Sequence, residues 1–318
     1  MHPILFHLSS GTAISSYGFF MTVAAIVGFC GTLFVARYRG FPMRRVGITL
    51  TAMLVAAFVG GRLLNILVNR QAFLAHPERM FAFDTSGFSL YGGIMLATLA
   101  GWILLRYFRL DTWKFADTST PVLGISIALM RIGCFLNGCC FGHETTLPWG
   151  VSFPVMSQAH RYQLATHPDD LFSVTPVHPT ELYELFVVLA LSGLAVFLTK
   201  KHAPTGIPFL SFVILFSLFR LGNSFLRVTP PFFDAPTFLY PTLYLFFAAL
   251  GMALIVRRLY VSRWRLCARS MSTLDDFGNV TTSSDTRIFY NNQPTTIDTE
   301  NEMPSIAIDD DNGHIRSW

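Results

Sequence analysis

Apolar runs of about twenty residues recur seven times along this chain, at roughly 14–36, 47–69, 88–105, 118–138, 179–199, 206–228 and 238–256. Each is long enough to cross a bilayer core about 30 Å thick. A segment in lipid must satisfy its own backbone polar groups, so the runs predict helices and an all-α, polytopic membrane protein. Composition agrees. Only 13% of residues are charged, against roughly a quarter in soluble domains, and the mean hydropathy is +0.47. A water-soluble enzyme is thereby excluded. The net charge of +4 is too weak to argue for nucleic acid, and five cysteines in 318 residues do not make a disulfide scaffold.

Residues 1–13 hold no Lys or Arg, and no small-residue cleavage pattern follows, so the first run reads as a retained span rather than a signal peptide. Basic residues collect on the cytoplasmic side of membrane proteins. Alternate connections here hold Arg37, Arg39, Arg44, Arg45, then Arg106, Arg109, Lys114, then Lys200, Lys201, then five arginines from Arg257 to Arg269. The other side holds only Arg70, Arg79 and Arg161. Fourteen against three places the N-terminus outside and the C-terminus in the cytoplasm, with the long loop at about 139–178 facing outward. The chain divides into a membrane domain, 1–260, and a polar tail, 261–318. Nine of the 19 acidic residues lie between Asp275 and Asp311, and the tail is expected to be disordered in the cytoplasm.

Four arginines remain in or at the ends of the spans: Arg62, Arg131, Arg220 and Arg227. Each costs about 2.5–3.5 kcal/mol at a helix centre on the insertion scale, so they need partners or a purpose. Glu181 and Glu184 are the only carboxylates within the runs, which leaves at least two arginines to receive an anion. Arg220 and Arg227 are seven residues apart and are expected on one helix face with Asn223 and Ser224 between them. A planar guanidinium suits a phosphate. For Arg227, snorkelling to the outer headgroups is the competing reading.

The densest motif is Arg131-Ile-Gly-Cys-Phe-Leu-Asn-Gly-Cys-Cys-Phe-Gly142, followed by Leu147-Pro-Trp-Gly-Val-Ser-Phe-Pro154. Gly133, Gly138 and Gly142 allow tight turns and close backbone approach, and Asn137 offers donors to phosphate oxygens; a Gly-rich helix exit packed on neighbouring spans is the alternative. A second cluster, His178-Pro-Thr-Glu-Leu-Tyr-Glu184, opens the fifth span on the same side. Glu184 there orients an arginine and His178 assists proton movement, or the pair of glutamates simply caps the helix. Cys134, Cys139 and Cys140 are open to plain packing, to a Cys134–Cys139 or Cys134–Cys140 disulfide, or to catalysis. The His and Cys spacing supplies no four-ligand metal set.

With Tyr17-Gly18, Gly60-Gly61-Arg62, Tyr91-Gly92-Gly93 and Phe219-Arg220-x₆-Arg227 added, six motifs stand in order along the spans. In this order they resemble the prolipoprotein diacylglyceryl transferase family over about 14–256. The resemblance implies a bacterial inner-membrane enzyme that moves the diacylglyceryl group of phosphatidylglycerol onto the lipobox cysteine thiol of a preprolipoprotein. The implied partners are that lipid, that peptide and the surrounding membrane, with no cofactor or metal. Arg131 and Arg220 match the family's essential arginines, and Tyr17, Asn137, Gly142 and Arg227 match other site residues; Gly138, Arg62 and Glu184 join them as lipid or phosphate contacts.

This chain departs from the family pattern at Tyr91, where His is frequent, at Cys134 (Asn), Cys139 (acidic) and Ser224 (Glu). A tyrosine with a pKa near ~10 is a poor base at neutral pH. Tyr91 is therefore expected to act as a hydrogen-bond donor while His178 accepts the thiol proton, or the incoming cysteine ionises without a dedicated base. A divergent paralogue with another lipid or acceptor, or a non-catalytic lipid-binding protein or transporter, would share the anion site. A transporter favours inverted repeats, and the sequence has none.

Overall fold

The computed structural model describes residues 4–7, 13–75, 89–155, 157–166, 174–228, 238 and 240–260. The tail beyond 260 lies outside them. The chain opens with an antiparallel hairpin, β1 (Ile4–His7) and β2 (Ala13–Ser15), a strand pair that the all-helical expectation did not include. Ser15 then caps α1 (Ser16–Tyr38), its hydroxyl accepting the Gly18 N–H at 3.1 Å. The remaining elements are α2 (Met43–Val68), the short α3 (Arg70–Ala75), α4 (Leu90–Tyr107), α5 (Thr112–Asn137), the short α6 (Gln158–Thr166), α7 (Thr180–Lys200), α8 (Ile207–Leu226) and α9 (Tyr240–Tyr260).

Six of these helices (α1, α2, α5, α7, α8 and α9) are long and apolar enough to cross a membrane. At 20 to 26 residues they span about 30–39 Å. The third apolar run folds as α4, 18 residues or about 27 Å, and is not among those six. Large apolar side chains such as Phe58, Leu63, Trp102, Phe186 and Phe225 point outward from the helices, the surface that lipid rather than water solvates. The protein is a multi-pass helical membrane protein.

Helix α5 is the hub: it packs against α1, α7 and α8, and it is the most buried of the six. It starts six residues before the apolar run at 118–138, capped by Asp111, which accepts the Trp113 and Lys114 N–H groups. That extension brings Asp117 into a helix and corrects the expectation that only two carboxylates lie in the spans. Pro121 sits inside α5 and removes a backbone donor there; just before it, the Thr118 and Thr120 hydroxyls bond the Lys114 and Ala116 carbonyls.

Helices α2 and α4 form the other tight pair. A Cβ on Gly60 would strike the Gly92 carbonyl, and a Cβ on Gly92 would strike that of Gly60. Two of the sequence motifs thus mark a backbone-on-backbone crossing, the contact that small residues permit between membrane helices.

One end of the bundle is basic. Arg39 reaches the Thr118 hydroxyl, Arg45 the Phe108 carbonyl, and Lys114 the face of Phe41, while Arg258 stacks on Trp113 at 4.1 Å and bonds the Thr205 carbonyl. Buried Asp117 accepts the Gly206 N–H at 2.6 Å and the Phe209 N–H at 3.0 Å, closing the start of α8.

Candidate functional site

The opposite end of α5 carries the charged cluster. Arg131 lies six residues before the end of α5, about 9 Å inside the helix. Glu184 is one turn into α7, and Arg220 is six residues before the end of α8. The crossing of the three helices joins them: Arg131 Nη2 donates to Glu184 Oε1 at 2.6 Å, and Arg220 Nη1 to Glu184 Oε2 at 2.7 Å. Arg220 Nη2 donates to the Tyr244 hydroxyl of α9 at 2.8 Å, which sequence reasoning missed.

Glu184 is 2% exposed and Arg131 7%, so removing one partner would strand buried charge at a cost of about 3–5 kcal/mol. Two guanidiniums share one carboxylate, which leaves one positive charge over. Arg131 Nε also has no hydrogen-bond partner among the described residues. The cluster can therefore accept one anion and donate to its oxygens. Arg220, with its side chain 16% exposed, is the more accessible arginine.

Around this triad the motif residues separate. Tyr17, on the first turn of α1, stands near Arg131 and the three cysteines. Gly133 lets α1 press on α5, since a Cβ there would meet Phe20 Cβ at 2.8 Å. Asn137 is the last residue of α5 and Gly138 its left-handed cap, φ 69°. Tyr91 stacks on Tyr240 of α9, ring centroids 5.8 Å apart, and lies beside Tyr244. Hydrogen bonds from Cys134 and Cys139 hold the Cys140 thiol below its ordinary range, and nearby Arg227 and Arg131 act in the same direction.

Arg227 corrects the expectation of a shared helical face. Helix α8 ends at Leu226, and Arg227 is extended (φ −89°, ψ 136°) and bridged to Gly142, so it departs from the Arg220 face. Of the residues between, Asn223 is buried and Ser224 turns its hydroxyl back onto the Leu221 carbonyl. Gly142 serves the chain itself. Its N–H donates to the His178 carbonyl at 2.9 Å, and a Cβ would meet His178 Cβ and the Leu226 carbonyl, each at 2.7 Å. Arg62 of α2 lies over the ring of Phe73 in α3, 5.5 Å from its centroid. That contact does not join it to the triad.

His178 Nδ1 is 3.2 Å from the Tyr183 hydroxyl, which accepts the Trp149 indole N–H at 2.9 Å. Glu181 is 1% exposed, with neither carboxylate oxygen hydrogen-bonded among the described residues. On the loop side of Gly142 a cavity of about 320 Å³ is lined by Phe141, His143, Glu144, Tyr162, Gln163 and Val177. The triad does not line it.

The family model for prolipoprotein diacylglyceryl transferase matches residues 3–264. Among curated proteins, the phosphatidylglycerol–prolipoprotein diacylglyceryl transferase of Geobacter sulfurreducens is 29% identical over 248 residues, covering 73% of this chain and 88% of that one. The enzymes of the same name from Solidesulfovibrio magneticus and Nostoc sp. are 30% and 28% identical over 214 and 231 residues, covering 65% and 71% of this chain and 76% and 78% of theirs. The matched residues span the helices that bury Arg131, Glu184 and Arg220 together, and the chain belongs to the prolipoprotein diacylglyceryl transferase family.

Proposed function

We propose that the chain transfers the diacylglyceryl group of phosphatidylglycerol to the cysteine thiol of a prolipoprotein. The observation that carries this reading is the sharing of Glu184 by Arg131 and Arg220. The single positive charge left over matches the single negative charge of a phosphodiester. The family match and the names of the relatives supply the reaction.

In this reaction the sulfur attacks the glyceryl carbon that bears the phosphate. A C–S bond forms, the C–O bond breaks, and glycerol phosphate leaves with the second negative charge. Arg220 and Arg131 stabilise that growing charge, the contribution that preorganised donors make in a dry site. Glu184 holds both guanidiniums in place and prevents their mutual repulsion from opening the site. The thiol proton passes to His178 Nε2, with Nδ1–H donating to Tyr183. Tyr91, Tyr17, Asn137, Gly138, Arg227 and Arg62 line the approach of the lipid.

The same reading gives α4 as a seventh span, the N-terminus outside and the basic end in the cytoplasm. It places the triad toward the outer face of a bacterial inner membrane, where a lipobox following a signal peptide arrives. The clustering of Arg39, Arg45, Lys114 and Arg258 at one end supports this orientation.

The test supplies phosphatidylglycerol and a lipobox peptide to the purified protein and measures the product by mass spectrometry. A thioether-linked diacylglyceryl peptide and an equivalent of glycerol phosphate are expected. No product, where a relative turns over, overturns the proposal.

A further inference from the structure

Beyond the end of α5 the backbone folds three cysteines together. Gly138 is left-handed, Cys139 N–H donates to the Cys134 carbonyl at 3.1 Å, and Gly138 N–H donates to the Phe135 carbonyl at 3.2 Å. This helix closure lays the residue after the glycine against the one five positions earlier, so Cys139 meets Cys134. Cys140 then adopts φ 73°, an uncommon setting for a residue with a Cβ. Its carbonyl is held by the Thr180 hydroxyl at 2.6 Å. The result is three sulfurs all within 4.8 Å of one another, Cys134 buried and the other two half-buried.

Three uses of such a cluster differ in geometry. A disulfide needs sulfurs about 2.05 Å apart and employs two of them. A zinc site asks for four ligands, and among the described residues no fourth His, Cys, Asp or Glu atom joins the three. A planar three-sulfur site with bonds of about 2.3 Å sets its sulfurs about 4 Å apart, which the observed cluster reaches by small side-chain shifts. Thiolates favour soft cations, copper(I) among them. Three thiolates around a monovalent cation carry two negative charges; Arg227 is close to Cys140, and Arg131, whose Nη2 is paired with Glu184, has its Nη1 3.8 Å from Cys134 Sγ.

We propose that Cys134, Cys139 and Cys140 form a three-sulfur site for a soft monovalent cation of the copper(I) class. On binding, each thiol releases its proton to solvent, three metal–sulfur bonds form, and no electron is transferred. The site does not rest on the transferase reading, because it needs neither lipid nor peptide.

The test titrates the reduced, full-length protein in detergent, without oxygen, against a chromophoric copper(I) chelator. One copper(I) per chain is expected to leave the chelator. Cys139→Ser and Cys140→Ser are each expected to weaken binding at least about tenfold, with Cys134→Ser as a third variant at the buried position. The double variant Cys30→Ser/Cys267→Ser should bind like the parent. Size-exclusion profiles and circular dichroism matched to the parent establish that each variant is folded. Failure of the parent to take copper(I), unchanged binding in the folded Cys139→Ser and Cys140→Ser variants, or tighter binding of zinc than of copper(I) would each overturn the proposal.

Discussion

Two buried carboxylates, Asp117 and Glu184, sit at opposite ends of the same helical bundle and are satisfied in different ways. Asp117 accepts two backbone N–H groups at the start of α8, from Gly206 and Phe209. These donors belong to the fold itself, and the arrangement is complete as it stands. Glu184 accepts from two arginines on two other helices, and their combined charge exceeds its own. A carboxylate closed by amides fastens a helix; one outnumbered by guanidiniums keeps a site open for a second anion. The difference separates the end that holds the bundle together from the end where we propose that the lipid phosphate binds.

The largest expected effect that could break this contrast is at the arginines. Arg131→Ala and Arg220→Ala should each lower transfer at least about 100-fold, the scale seen on removing a charge-stabilising donor, while membrane fractionation finds the protein inserted as before. Next comes the direct exchange at the two carboxylates. Glu184→Gln should lower kcat/KM by about 10–100-fold, as expected when a supporting partner is lost. Asp117→Asn should leave kcat/KM within about threefold and lower the thermal midpoint instead, since a lost helix cap costs about 1 kcal/mol. Equal losses of activity in both variants would erase the distinction.

Smaller effects sharpen it. Tyr244→Phe removes one hydrogen bond to Arg220, worth about 1.5–3 kcal/mol for a charged partner, and should cost about tenfold in kcat with little change in inserted protein. Deleting residues 271–318 should leave initial rates unchanged, because the triad comes from α5, α7 and α8 and its Tyr244 partner from α9.

The helices were legible because lipid demands long apolar runs: four of the seven runs match spanning helices closely, and a fifth, 88–105, matches the shorter α4. The exceptions have local causes. The run at 118–138 misses the first six residues of α5 because Asp111-Thr-Trp-Lys-Phe-Ala-Asp117 is polar enough to read as loop, although Asp111 is a strong helix cap. The run at 206–228 overshoots because nothing in Phe225-Leu-Arg-Val228 signals that Arg227 pairs with Gly142 in an extended bridge. Charge scarcity singled out Arg131, Arg220 and Glu184 as residues that must find partners. It could not tell that one glutamate serves both arginines, since that depends on how three helices cross. Tyr244 went unnoticed because a tyrosine near a span end is ordinary in membrane proteins. The glycine pairs at 60 and 92 entered as motif letters, and only the helix crossing gives them a physical reason.

The proposed reaction stands on Arg131 and Arg220 together holding one lipid phosphate. The most direct measurement follows thioether formation by mass spectrometry in phosphatidylglycerol vesicles with the parent protein and the Arg131→Ala/Arg220→Ala double variant, at matched inserted amounts. Diacylglyceryl peptide is expected to accumulate steadily with the parent and not above background with the double variant. Parent-like rates in the double variant would contradict it.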